Sequence, residues 1–256
     1  MKSLFKSLLY KAGYSIKKIR RAPRQKREGM ATVRAEGDIR ALLHKVDPYA
    51  GFDWKALPVD AQGWGGESPA FRELIAAERP RLILEVGTWK GASALEMAAV
   101  CSELGLETQI VCIDTWLGAL EFWTDHEDAQ RYGSLALRHG YPSVYYQFLA
   151  NVCHAGQQDR IVPFPQTAAT AALWFRRQGI TADMIYVDAS HEEEDVYQDL
   201  CSYWEVVSDA GLLFGDDWSW DGVRMAVERF AAEERRKIAF TADKWVLRKA
   251  EPNAPA

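Results

Sequence analysis

The sequence predicts an α/β fold, a mostly parallel sheet with helices on both faces, and three observations predict it. From Arg81 onward, short apolar runs alternate with longer stretches of helical periodicity. The runs are continuously apolar rather than alternating, the pattern of strands buried on both faces. The last two runs, IAFTA and KWVLRK, lie close enough to pair as a hairpin around Asp243.

The elements follow in order. MKSLFKSLLYKA sets Leu4, Phe5, Leu8, Leu9 and Ala12 on one helical stripe with lysines 2, 6 and 11 off it. This predicts an amphipathic basic helix. Its apolar run is too short to span a bilayer, and Lys6 and Lys11 interrupt any signal-peptide core. Residues 35–64 read as helix and loop without recognisable chemistry. Ser68 is a good N-cap and Pro69 fits the first turn of a helix that Pro80 ends. RLILEVG is the first strand and ASALEMAAVCSEL the helix after it, closed by Gly105. QIVCID and RIVPFP are the second and third strands, and TAATAALWFRRQ a helix ending at Gly179. MIYVD is the fourth strand, EEEDVYQDLCSYWEVV a helix, GLLFGDD the fifth strand and GVRMAVERFAAEE a helix.

Composition narrows the function. Nearly half of the 256 residues are apolar and ten are Trp, which excludes disorder throughout. Residues 1–34 hold 11 Lys and Arg against one acid, leaving 20 of the 31 basic and 35 of the 36 acidic residues to the remainder. A basic tail (1–34) thus precedes an acidic domain (35–256). The tail suits peripheral contact with an anionic membrane face through residues 1–27, or a protein partner. Nucleic acid is not expected, because the body is acidic and no base-stacking aromatics interleave with the basic residues. Cys101, Cys112, Cys153 and Cys201 lack metal or redox spacing and read as reduced cysteines of a cytoplasmic protein.

Chemistry concentrates at one edge of the predicted sheet. Strand one ends at Glu85-Val86-Gly87, strand two at Asp114, strand four at Asp188 and strand five at Asp216-Asp217. In such sheets ligands bind beyond the carboxyl ends of the strands. The first turn, EVGTWKGAS, spaces Gly87 and Gly91 as G-x-x-x-G. That is neither the dinucleotide fingerprint nor a phosphate loop. Two glycines at a helix N-terminus admit a carboxylate-bearing ligand, and Asp114 suits ribose hydroxyls. With the acidic surroundings, the combination suits a cationic nucleoside such as S-adenosylmethionine.

LILEVGTWKGAS, IVCIDTW, MIYVDASHEEEDVYQDL and GLLFGDDW, in this order, resemble the class I S-adenosylmethionine-dependent methyltransferases. The nearest group methylates sugar hydroxyls and includes the macrolide-sugar and rhamnosyl O-methyltransferases. The resemblance runs from about Gly63 to Lys249 and leaves out the tail. It implies a Rossmann-like, seven-stranded sheet whose last strand is antiparallel. It places Glu85, Gly87 and Gly91, with Thr88 and Ser93, around the methionine part of the cofactor. Asp114 and Thr115 fall to the ribose, and Gln166 and Thr167 to the adenine. In metal-dependent members, residues matching Asp188, Asp216 and Asp217 bind a divalent cation, a hard oxygen set suited to Mg²⁺. His191 matches the catalytic base of the macrolide-sugar enzymes, with Asp188 beside it. A helix N-terminus disfavours the imidazolium, whereas the acids of 192–195 favour it, so the sequence leaves the sign of its shift open.

Residues 115–160 exceed an ordinary crossover and are rich in aromatics. They predict a lid over the acceptor, with Trp116, Trp123 and Tyr132 as candidate contacts; an aromatic core or a homo-oligomer interface is the alternative. The expected function is O-methylation of a sugar or glycan intermediate in the cytoplasm, in contact with the membrane's inner face where the tail binds there. The competing readings are an NAD-dependent oxidoreductase on a similar sheet and a non-catalytic binding module.

Overall fold

The structure, a computed structural model, describes residues 38–250. The predicted N-terminal helix and the rest of the basic tail lie outside the described residues. Seven strands form one sheet: β1 (Leu82–Val86), β2 (Gln109–Asp114), β3 (Ile161–Pro165), β4 (Ala182–Val187), β5 (Val207–Gly215), β6 (Ala239–Thr241) and β7 (Lys244–Arg248). Their spatial order is β3-β2-β1-β4-β5-β7-β6. The first five are parallel, and β7 runs antiparallel to both β5 and β6. This is the Rossmann-like sheet the sequence predicts.

The helices are α1 (Ile39–Leu43), α2 (Pro69–Glu78), α3 (Ala92–Glu103), α4 (Val144–His154), α5 (Ala168–Gln178), α6 (Glu193–Trp204) and α7 (Asp221–Glu234). Successive strand residues point to opposite faces, and the two faces carry separate cores. Leu84, Ile185 and Leu213 pack under Phe175, Tyr203 and Phe230 of α5, α6 and α7. Ile83, Met184 and Leu212 pack under Phe71, Met97 and Phe148 of α2, α3 and α4. Both sets are fully buried, so each large side chain contributes roughly 1.5–3 kcal/mol through burial. Local signals agree with these boundaries: Ser68 Oγ accepts the Ala70 N–H, and Thr167 Oγ1 accepts the Thr170 N–H at the start of α5.

Two elements differ from expectation. β5 begins at Val207, four residues before the apolar run GLLFG, with a register shift against β4 between Ala182 and Met184. The polar residues Ser208 and Asp209 ride on that irregularity. The stretch 115–143 holds only two 3-10 turns, Leu120–Trp123 and Gly133–Leu135, while α4 is the crossover helix with Phe148, Leu149 and Val152 in the core. No described helix is long and apolar enough to cross a membrane.

Candidate active site

The sheet order reverses between β1 and β4, and the chain leaves the two strands on opposite sides. Beyond their carboxyl ends lies a cleft of about 550 Å³. Val86, Gly87, Thr88, Asp114, Asp188, His191, Asp216 and Asp217 line it from the strand ends, and Trp64, Gly65, Glu121, Phe122, Arg131 and Trp220 from the loops above. A second cavity, about 590 Å³, lies at the amino ends of β1–β3 among Arg81, Gln109 and Arg160. It holds none of the convergent carboxylates.

The loop after β1 is held from two directions. Asp114 Oδ2 accepts the backbone N–H groups of Thr88 (2.9 Å) and Trp89 (2.8 Å), and its Oδ1 accepts that of Trp116 (2.7 Å). A carboxylate has about four acceptor sites, so one remains toward the cleft. Beneath the loop, the fully buried Glu85 accepts hydrogen bonds from Thr88 Oγ1 (2.8 Å), Ser93 Oγ and Cys112 Sγ (3.3 Å). Burial pushes its carboxyl up to about 7, against the lowering effect of the Ser93, Thr88 and Cys112 bonds. Gly87 has φ +87°, and a Cβ there would lie 2.1 Å from the Asp188 carbonyl oxygen. The Gly87→Ala substitution is therefore expected to separate β1 from β4 at the cleft floor. Loss of ligand binding in a protein that keeps its far-UV circular dichroism checks this.

The acids on the far side of the cleft are organised around two cations. His191 precedes α6 and contacts Asp217 Oδ2 through Nε2 (2.9 Å) and Glu121 Oε1 through Nδ1 (3.2 Å). Its ring stacks on Trp220, centroids 4.4 Å apart at 13°. The Asp217 bond pushes the imidazole up to about 9, helped by Glu121 and opposed by partial burial. Lys244 is 0% exposed, and its Nζ donates to Asp216 Oδ2 (2.5 Å) and Asp243 Oδ2 (2.8 Å). Burial pulls this ammonium down, but the bonds to Asp216 and Asp243 outweigh it and raise it. Asp188 differs from these acids. It accepts the Tyr186 hydroxyl (3.0 Å) and forms no ion pair among the described residues. Burial and the neighbouring Asp217 and Asp216 carboxylates push it up to about 8.

A family model described as a methyltransferase domain matches residues 84–218, more than half of the chain. The chain belongs to this methyltransferase family. The fold of the methyltransferase is shared by solved structures at low identity. The O-methyltransferase TomG from Streptomyces achromogenes, in complex with SAM, is 17% identical, with 82% of this chain and 92% of that one covered and a TM-score of 0.50. CalS11, a calicheamicin methyltransferase, is 18% identical over 71% of this chain and 77% of that one, with a TM-score of 0.50. No curated protein matches the sequence. The family match decides against the NAD-dependent oxidoreductase.

Within the methyltransferase, the cleft brings together Gly87, Thr88, Ser93, Asp114, Thr115, Gln166, Asp188, His191, Asp216 and Asp217 from the residues the sequence singled out. Three others stand outside it. Glu85 lies under the loop and spends its oxygens there, Gly91 starts α3 against Phe148, and Thr167 caps α5 at the surface. The aromatic contacts also need correction. Trp116 is 2% exposed, edge-on to Tyr145 and tilted against Phe148, with its indole N–H on the Trp89 carbonyl. Trp123 and Tyr132 pack on each other outside the cleft. Phe122, Trp64 and Trp220 line the cleft where those three were expected.

The described arrangement gives no support to the expected Mg²⁺ site. Among the described residues, no three His, Cys, Asp or Glu side chains form a group that could hold a metal ion. The donor set shows why. Asp216 gives Oδ2 to Lys244 and Oδ1 to the Asp217 N–H (2.8 Å), and Asp217 gives Oδ2 to His191. The cofactor-side residues, by contrast, fit a nucleoside with a charged amino-acid tail: a loop without a side chain at Gly87, an N–H-rich turn, and a spare acceptor on Asp114.

Proposed function

We propose that this methyltransferase moves the methyl group of S-adenosylmethionine to a hydroxyl of a sugar or glycan intermediate. The observation that carries the reading is one cleft with the Gly87–Asp114 loop at one end and an Asp217–His191 pair at the other. When bound, the cofactor supplies an electrophilic sulfonium methyl. Gly87, Thr88 and Ser93 would hold its amino-acid part, Asp114 and Thr115 its ribose, and Gln166 would border the adenine. Transfer of that methyl to the acceptor oxygen would leave the cofactor as a neutral thioether.

His191 takes the hydroxyl proton. Both ring nitrogens face carboxylates, so one must yield to the acceptor. Glu121 is the one to yield: its contact is longer, and it sits on a short turn of the 115–143 insertion. Asp217 stays, fixes the ring and stabilises the imidazolium that forms. Trp64, Phe122 and Trp220 offer apolar faces to a sugar ring, and the Arg131 guanidinium lies 5.4 Å from the Trp64 ring centroid. Inner-face membrane contact through the tail would keep the enzyme near membrane-bound glycans.

Calorimetry with S-adenosylmethionine, followed by methyl-transfer assays on sugar nucleotides and on catechols, tests the reading. Micromolar cofactor binding and turnover on sugars are expected. Absence of cofactor binding would remove the activity altogether, and turnover on catechols alone would remove the sugar.

A further inference from the structure

The acid-rich edge of the cleft contains a buried lysine that no sequence pattern pointed to. Lys244 is the first residue of β7, and β7 pairs antiparallel with β5, placing the lysine beside the turn that carries Asp216 and Asp217. Its ammonium is fully enclosed. Phe71 and Tyr186 present ring faces to it at 5.7 and 6.0 Å, and Asp216 and Asp243 receive its protons. The same strand fixes the turn again through Trp245, whose Nε1–H donates to the Asp216 carbonyl (2.8 Å). Above, the Gly65 backbone closes on the carboxylate so tightly that a Cβ there would lie 2.3 Å from Asp216 Oδ2 and 3.7 Å from Nζ. Asp216 thus has one oxygen on an internal cation, the other on a backbone N–H, and a loop across its open side.

We infer that the Lys244 ammonium does the work of a divalent cation at this edge, neutralising Asp216 and holding the Asp216-Asp217 turn so that Asp217 meets His191. A carboxylate trio open to Mg²⁺ needs Asp216 without a competing cation, and here the Lys244 ammonium already sits on its Oδ2. Lys244 bridges Asp216 and Asp243, and His191 lies between Asp217 and Glu121, so the basic side chains of this edge already occupy its carboxylates. An ammonium satisfies its partners with three fixed donors and demands no octahedron of oxygens. Lys244 is a positioning residue in this scheme, acting on the base through the turn, and methyl transfer proceeds without a divalent metal. Metal-independent methyl transfer rests on the function proposed above, whereas the Lys244–Asp216 pairing stands without it.

The test is Mn²⁺ binding, read from the paramagnetic signal of the free ion and independent of turnover. The full-length wild-type protein is expected to show no Mn²⁺ site that depends on Asp216, and chelator is expected to leave S-adenosylhomocysteine binding unchanged. Lys244→Met, checked for folding by circular dichroism, is expected to gain one Mn²⁺ site that Asp216→Asn in the same chain removes. Lys244→Arg keeps the charge and is expected to stay silent. A stoichiometric Mn²⁺ site in the wild type that is lost in Asp216→Asn overturns the inference, and so does a folded Lys244→Met without any site. If Lys244→Met does not fold because two acids lose their partner, the wild-type and Lys244→Arg titrations decide alone. Failure of the methyltransfer reading would appear separately, as absent cofactor binding.

Discussion

Replacing His191 with alanine is expected to lower kcat by about 10²–10⁴-fold while leaving S-adenosylmethionine affinity intact, the signature of a lost general base. The pH dependence carries more information than the loss. In the free enzyme His191 is pushed up to about 9 by Asp217 first and Glu121 after it, so near neutrality it holds a proton it must lose before it can accept one. The kcat/KM of the wild type should therefore climb with pH and level off above about 9. Glu121→Gln removes one carboxylate from the ring and should move that limb toward the ordinary histidine value, raising kcat/KM at pH 7. Asp188 is the alternative base, with a limb at about 8, but Glu121 is not among the groups that shift it. A limb that ignores Glu121→Gln would exclude His191 as the base. The stability sign runs the other way. A raised histidine stabilises the fold fully below its ordinary value, and that contribution is lost as pH rises through about 9. Activation by alkali and loosening of the Asp217–His191–Glu121 contact therefore arrive together.

The second large effect concerns Asp188. Its carboxyl is pushed up to about 8 by burial, then by Asp217 and Asp216, and it lacks an ion-pair partner among the described residues. A sulfonium in the cleft would lower it again, because an opposite charge favours the ionised form. Affinity for S-adenosylmethionine is expected to rise by up to about tenfold per pH unit below 8. S-adenosylhomocysteine, a neutral thioether with the same amino-acid tail, should lack that dependence. Calorimetry of both ligands between pH 6 and 9 checks it, and parallel curves would show that Asp188 does not sense the sulfonium. In Asp188→Asn the two curves should converge. The same substitution should raise the melting temperature by several degrees. A raised carboxyl binds a proton in the native state that the unfolded chain lacks, so wild-type stability falls as pH rises from about 4 to about 8. The advantage of the asparagine should grow over that window and level off above it.

Much of this was legible in the sequence because it is local. β1, β2 and β3 read as continuous apolar runs, α5 was marked at its end by Gly179, and the acids at four strand ends followed from the parallel arrangement. What was not legible depends on residues far apart in the chain. Asp114 looked like a ribose acceptor, and most of its lone pairs hold the Thr88, Trp89 and Trp116 N–H groups. Trp116 looked like a lid residue until its left-handed backbone (φ +54°) turned the indole inward. The insertion 115–143 is held by side-chain-to-backbone bonds such as Trp123 Nε1–H to the Leu117 carbonyl, which leave no periodicity to read. Glu121, Trp220 and the Trp64-Gly65 turn carry no motif. Lys244 carries no motif either: its strand, KWVLR, ends on a second charged residue, Arg248, which is exposed while Lys244 is buried.

The position of β7 bears on how the protein is made. β7 is the last strand in sequence but lies between β5 and β6 in space. Until the ribosome releases residues 244–248, β5 remains an unpaired sheet edge along Leu212–Gly215, and the Asp216 carboxylate has no ammonium. A nascent chain that has completed the Gly87 loop and all five parallel strands still has an open edge, the kind of surface that invites pairing with another chain. Completion of the catalytic cleft and protection against misassembly thus wait on the same few C-terminal residues, so a truncation before Lys244 should yield aggregates rather than a soluble, inactive enzyme.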